Sequence, residues 1–196
     1  MEHLTTAQAA FVVGAPLDTF KKVVERTPIK PHLVKRGGRS IRQFGQADLV
    51  FLHAYEELKQ ALTPKSQTEL YKALQASLKR GLAKEVTFGK QRYDIGQHLA
   101  FVEGKVKELE RLTAQVDLSG KEPVIRGTPV EAYRIAALLD GGATVKQILR
   151  DYPSLNEEQV VAARIYAEAH PKAGRPYPKQ SAKAAMRAAD LSALRD

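Results

Sequence analysis

Two groups of side chains have chemistry to offer. Lys35, Arg36, Arg39 and Arg42 surround a Gly37-Gly38 pair, and Lys21, Lys22 and Arg26 accompany Thr19 in the segment Leu17 to Arg26. Cations at this density beside a short helix are suited to nucleic-acid phosphates. Each one neutralises a backbone charge and releases counterions, while a helix side chain such as Thr19 can reach base edges. Catalytic chemistry finds little support. Cysteine is absent, and the five histidines, at 3, 32, 53, 98 and 170, are isolated from one another in the chain. There is no His-Glu-x-x-His pattern and no glycine-rich loop followed by Lys-Ser/Thr. His53 reads as a packing or surface residue. The expectation is a protein that is not an enzyme and needs no metal and no cofactor.

The cations need elements to position them. A helix from Thr5 or Thr6 to Val13, a Gly14-Ala15-Pro16 turn and a helix from Leu17 to Arg26 have the length of a DNA-binding helix-turn-helix. Ala9, Val12, Leu17, Phe20 and Val24 supply the inner faces, which leaves Asp18, Thr19, Lys21, Lys22, Glu25 and Arg26 outside. His32 to Phe44 alternates as two short arms around Gly37-Gly38, a hairpin whose tight turn asks for positive φ. Read as a wing, it adds Lys35, Arg36, Arg39 and Arg42 to the DNA-binding set; the competing reading is a solvated hairpin. The order helix, turn, helix, basic hairpin, then Arg42-Gln43-Phe44 leading into a long helix resembles the MerR-type winged helix-turn-helix head.

From Ala47 onward, Leu49, Leu52, Tyr55, Leu58 and Leu62 recur at helical spacing. Leu70, Leu74, Leu78 and Leu82 continue the pattern after Thr63-Pro64 and a Ser66-to-Glu69 capping box. Glu85 to Ile95 reads as a hairpin. Leu99, Val102, Val106, Leu109, Leu112 and Val116 mark a long helix with a narrow apolar stripe, either a dimer face or an ordinary intramolecular packing face. Ser119-Gly120-Lys121 reads as a domain boundary.

Beyond it, Thr128 to Glu131, Thr144 to Gln147 and Asn156 to Gln159 each place an oxygen acceptor at a helix N-cap and a Glu or Gln three residues later. These boxes predict helices near 129–140, 145–152 and 157–169, with Pro129 at N1, Asp140-Gly141-Gly142 as a left-handed stop and Leu155 stapled onto Val160. Ile135, Leu138, Leu139, Val145, Ile148, Leu149, Val160, Val161 and Ile165 are expected to face inward. The segments Pro123 to Val130, Leu138 to Gly142, Ile148-Leu149, Tyr152 to Leu155 and Val160 to Ala167 resemble the bacterial family called domain of unknown function 433. Members of that family are often VapB-type antitoxins paired with PIN-domain ribonuclease toxins.

The formal charge of +9 is uneven. Both ends are basic, while 122–170 is net acidic, which argues against that unit sitting on phosphates. Past His170, prolines at 171, 176 and 178 predict an extended arm and then a short helix from Ser181 to Leu194. The resemblance implies a partner whose active site gathers carboxylates, and an Arg on this tail would suit such a pocket. The toxin-binding set is then Arg175, Met186, Arg187, Leu191, Leu194 and Arg195, with Arg187 first and Arg175 second.

The expected architecture is mainly α. It comprises a winged helix-turn-helix head over 1–46, central helices with a small β-hairpin over 47–121, a trihelical, homeodomain-like unit over 122–170 and a flexible tail over 171–196. No apolar run reaches the length of a membrane span, and the start Met1-Glu2 is unlike a basic signal segment, so a cytoplasmic protein is expected. Two functions stand side by side. One is an antitoxin that neutralises a PIN-domain ribonuclease and represses its own operon through double-stranded operator DNA. The other is a MerR-like regulator without a toxin partner. Both imply a homodimer, because one such head reads a half-site.

Overall fold

The computed structural model describes residues 3–36, 39–81, 84–170, 172 and 177–188. The fold is mainly helical with small antiparallel sheets, and the chain divides into two compact units, Met1–Leu109 and Glu110–Asp196. Among the described residues no helix is long and apolar enough to cross a membrane.

The first unit opens with β1 (Leu4–Thr5), α1 (Thr6–Val13), α2 (Leu17–Arg26), β2 (His32–Arg36) and β3 (Arg39–Phe44). Thr5 caps α1 in a capping box with Gln8, a signal carried by Thr-Thr-Ala-Gln. Gly14, at φ 76, ends α1 in the left-handed region, and the amides of Gly14 and Ala15 donate to the carbonyls of Phe11 and Ala10, each at 3.0 Å. The strands form a sheet of order β1-β3-β2, with Phe44 opposite Leu4 and Val34 opposite Ile41. Two long helices follow, α3 (Gln46–Ala61) and α4 (Pro64–Lys79). The cap of α4 is Thr63, whose Oγ1 accepts from the Ser66 amide at 3.3 Å with Pro64 at N1. The Ser66-to-Glu69 box is therefore not used, because the helix starts at proline, three residues earlier than that box would place it.

Asp48, on the first turn of α3, is buried. Its Oδ2 accepts from the Gly45 amide at 2.8 Å, and its Oδ1 accepts the Tyr71 hydroxyl of α4. Burial first, and then Asp48, push the Tyr71 phenol far above its ordinary range. The hairpin of β4 (Glu85–Phe88) and β5 (Gln91–Asp94) forms as its alternation predicts, and α5 (Gly96–Thr113) follows. Leu99, Val102, Val106, Leu109, Leu112 and Val116 are all buried within the chain. The stripe is a packing face of the single chain rather than a free dimer face, and Val116 lies past the helix in β6 (Val116–Asp117).

The histidines are not all isolated. His53 of α3 and His98 of α5 meet with their Nδ1 atoms 2.9 Å apart, the His53 ring stacks on Phe101 at 4.0 Å, and His98 Nε2 lies 3.6 Å from Glu57, which also accepts the Tyr93 hydroxyl. The two positions are 45 residues apart, so no local pattern announces the pair.

In the second unit β6 pairs with β7 (Val124–Ile125), so Ser119-Gly120-Lys121 lies in the turn of a small hairpin rather than between domains. Three helices follow: α6 (Ala132–Asp140), α7 (Val145–Asp151) and α8 (Glu157–Ala169). Thr144 and Asn156 close the expected capping boxes with Gln147 and Gln159. The Thr128 box does not form. Thr128 Oγ1 donates to the Ile125 carbonyl at 2.9 Å and accepts from the Val130 amide at 3.2 Å. The Ile125 amide donates to Val130, and the Ala132 amide donates to Pro123. These bonds keep 129–131 out of the helix, with Glu131 extended, and helix begins only at Ala132.

The core joins Val116, Ile125, Ile135, Leu138, Ile148, Leu155 and Val160, with Leu139, Val145 and Leu149 packed at its edge. Val161 is an exception to the inward set; next to buried Val160, it falls on the exposed side of α8. At its described residues the tail is engaged by the second unit. Lys172 pairs with Glu122 at 2.7 Å, Tyr177 donates to Glu131, and Ser181 is buried ahead of α9 (Ala182–Ala188).

Burial first, then the neighbouring His98, hold the His53 imidazole below its ordinary proton affinity, with Glu57 opposing. An unfolded His53 takes up a proton as pH falls through about 6.5 while the folded one resists. This contribution to stability is therefore present above that pH and lost as pH falls below it. The melting temperature should decline between about pH 7 and about pH 5, and His53→Asn, which offers His98 a polar neighbour that does not titrate, should flatten that decline. An unchanged slope in thermal melts across this range would show that His53 is not the titrating group.

Candidate nucleic-acid interface

Sequence sets the orientation of α2 through two residues. Phe20 and Val24 are buried, and the Phe20 ring meets Phe44 of β3 edge-on, with centroids 5.3 Å apart and planes at 69°. A helix advances about 100° per residue, so with Phe20 and Val24 inward, Thr19, Lys22 and Arg26 must point outward. All three are exposed, as is Lys21. Lys21 is not an unengaged cation, since its Nζ lies 3.3 Å from Asp18 one turn earlier. Both partners are exposed, so this is a weak pair that an incoming phosphate can displace.

The hairpin is read from its register. Leu33 faces Arg42 and Lys35 faces Ser40, so these four share one face of the β2–β3 ribbon, while Val34 and Ile41 share the other. Leu33, Lys35, Ser40 and Arg42 are all exposed, and Val34 and Ile41 are partly buried, so the solvent face carries the cations. Arg36 and Arg39 pair across the ladder beside the turn. Gly37 and Gly38, and the side chains of Arg36 and Arg39, lie outside the described residues. Among the described residues Lys22, Arg26, Lys35 and Arg42 have no acidic side chain within ion-pair distance.

The candidate toxin-binding residues are scattered by comparison. Met186 is exposed on α9, while Arg175, Leu191, Leu194, Arg195 and the side chain of Arg187 lie outside the described residues. What sequence reasoning missed is the polar face that receives the tail. Arg134 of α6 spends its guanidinium on the carbonyls of Pro178 and Gln180, at 3.2 and 3.1 Å, and on the Tyr152 hydroxyl at 3.4 Å. Lys172, held above its ordinary proton affinity chiefly by its bond to Glu122, lies over the Tyr133 and Tyr177 rings at 5.5 and 5.0 Å. No periodicity announces such contacts.

Comparison with known proteins bears on the second unit. The "Uncharacterized protein y4eO" of Sinorhizobium fredii (strain NBRC 101917 / NGR234) is 44% identical over 66 residues, covering 34% of this chain and 30% of the relative. The chain thus spans less than a third of the length of the curated relative it matches. No solved structure matches. Residues 113–167, from the last residue of α5 to within α8, match the family described as Protein of unknown function (DUF433), so the likeness lies in the second unit and leaves the head outside it.

Proposed function

We propose that the chain binds duplex DNA through a winged helix-turn-helix head of MerR-like shape and acts as the antitoxin and autorepressor of a toxin-antitoxin pair. The single observation that carries the DNA-binding half is the exposed set Lys22, Arg26, Lys35 and Arg42, without an acidic partner among the described residues, on a helix and a hairpin joined by the Phe20–Phe44 contact. In this reading α2 enters the major groove with Thr19 and Lys22 toward base edges, while Lys21, Arg26 and the hairpin cations contact phosphates. The homeodomain-like second unit is net acidic over 122–170, so it is assigned to protein contacts, including a homodimer that reads a two-fold operator.

The toxin-binding half rests on the resemblance of the second unit to a family rich in VapB-type antitoxins and on the basic composition of the tail. A PIN-type ribonuclease holds divalent metal with clustered carboxylates, and an arginine fork bonds carboxylates bidentately. Arg187 is assigned that role, with Arg175 second. The reading as a regulator without a toxin is favoured by one specific observation: residues 172 and 177–183 are already engaged by the chain's own second unit.

Replacing Lys35, Arg36, Arg39 and Arg42 together by Ala should weaken binding to every duplex and flatten the dependence of affinity on salt, by about 0.9 in log–log slope for each phosphate that is no longer neutralised. Unchanged mobility shifts would remove the hairpin from the interface. Deleting 171–196 should abolish inhibition of a cognate ribonuclease and leave operator binding largely intact; a truncated chain that still inhibits would reassign the inhibitory segment.

A further inference from the structure

The tail contacts have the makings of a recognition site. Arg134 donates to two carbonyls two residues apart, Pro178 and Gln180, which is how a guanidinium fork grips an extended strand of peptide. The Ser181 hydroxyl donates to Asp151 at the end of α7, and Lys183 Nζ donates to the Asp151 carbonyl at 3.3 Å. Tyr177, at the other end, donates to Glu131. One short segment is thus held at its backbone, its hydroxyl, its phenol and its cation by groups of α6, its N-cap residue Glu131 and α7.

The decisive residue is Gly141. Gly142 beside it has φ 87 and needs glycine for its conformation, but Gly141 has φ −79 and ψ 0, which any residue adopts. A Cβ at 141 would lie 2.0 Å from the Lys179 carbonyl oxygen and 2.9 Å from its carbonyl carbon. Glycine at 141 is explained by the passage of the tail backbone over it and by nothing in the helix end itself. A cleft of about 200 Å³ lies beside this crossing, bounded by Gly141, Gln147, Arg150 and Lys179.

We infer that the α6–α7 face of the second unit is a peptide-binding groove whose ligand is an extended segment of the type Tyr-Pro-x-x-Ser-x-Lys, occupied in this chain by residues 177–183. The site recognises backbone through Arg134 and Gly141 and side chains through Glu131 and Asp151. A tethered segment competes at an effective concentration on the order of millimolar, so an added peptide enters only when the chain's own copy is weakened. The inference is independent of the antitoxin reading.

The test uses the full chain and a fluorescein-labelled peptide of residues 172–188, followed by anisotropy. Ser181→Ala with Lys183→Ala weakens the resident segment and leaves the groove untouched. This variant should bind the peptide saturably and about tenfold or more tighter than the unaltered chain does. Adding Gly141→Ala, whose Cβ takes the space of the Lys179 carbonyl, should abolish that binding while circular dichroism shows the helix content of the parent variant retained. Arg134→Gln supplies a second loss of binding that does not touch the helix end. No saturable binding to the weakened chain, equal binding to the weakened and unaltered chains, or binding that survives both groove substitutions would each overturn the inference.

Discussion

The head of this protein depends on one contact, the edge-to-face meeting of Phe20 and Phe44. Both rings are fully buried, and such a pair is worth about 0.5–1.5 kcal/mol beyond the area it removes from water. Its larger effect is geometric. It fixes the rotation of α2 about its axis, and a turn of one residue would carry Lys21 toward the core and Phe20 into water. Phe44 is in turn immobilised by pairing with Leu4 in β1 and by the ladder to β2, so the rotation of the helix and the register of the hairpin are parts of one arrangement. The buried Asp48–Tyr71 bond secures the next step by tying the start of α3 to α4. A cationic surface built this way comes from a rigid scaffold, which, on the proposed reading, would lower the entropic cost of binding a stiff polyanion.

The second unit solves a different problem, that of ending helices and receiving a chain segment in a small space. Its two glycines at the end of α6 do separate work. Gly142 adopts the left-handed turn that stops the helix, and Gly141 leaves room for the backbone of Lys179. Arg134 links the same segment to α6 through main-chain carbonyls, so the grip depends on the segment being extended, and Pro178 favours that form. Proline thus has two consequences here: it breaks regular structure, and it presets the shape that the groove accepts.

How far the sequence could be read depends on the reach of each signal. Caps are local: Thr144 with Gln147 and Asn156 with Gln159 are legible because donor and acceptor lie within one turn. Thr128 misleads for the same reason, since the pattern is present but the Val124–Glu131 bridge and the Ile125–Val130 bond claim the backbone first. The lengths of α1 and α2, the pairing of β2 with β3 and the outward cations of α2 follow from periodicity and are found as read, with Lys21 partly committed to Asp18. The apolar stripe of α5 is visible in the sequence, but periodicity alone does not say whether a stripe packs within its own chain or against a copy. The His53–His98 and Arg134–Pro178 contacts lie 45 and 44 residues apart and leave no trace in any window of sequence.

The central claim, that the first unit presents a DNA-binding surface made of α2 and the β2–β3 hairpin, is tested most directly by a backbone amide NMR titration of the full chain with duplex DNA from upstream of its own gene. The account predicts salt-sensitive shifts concentrated in residues 17–26 and 32–44, with the amides of 124–165 unmoved. Shifts concentrated in 124–165 while the head stays unchanged, or no shifts at all at low salt, would contradict it.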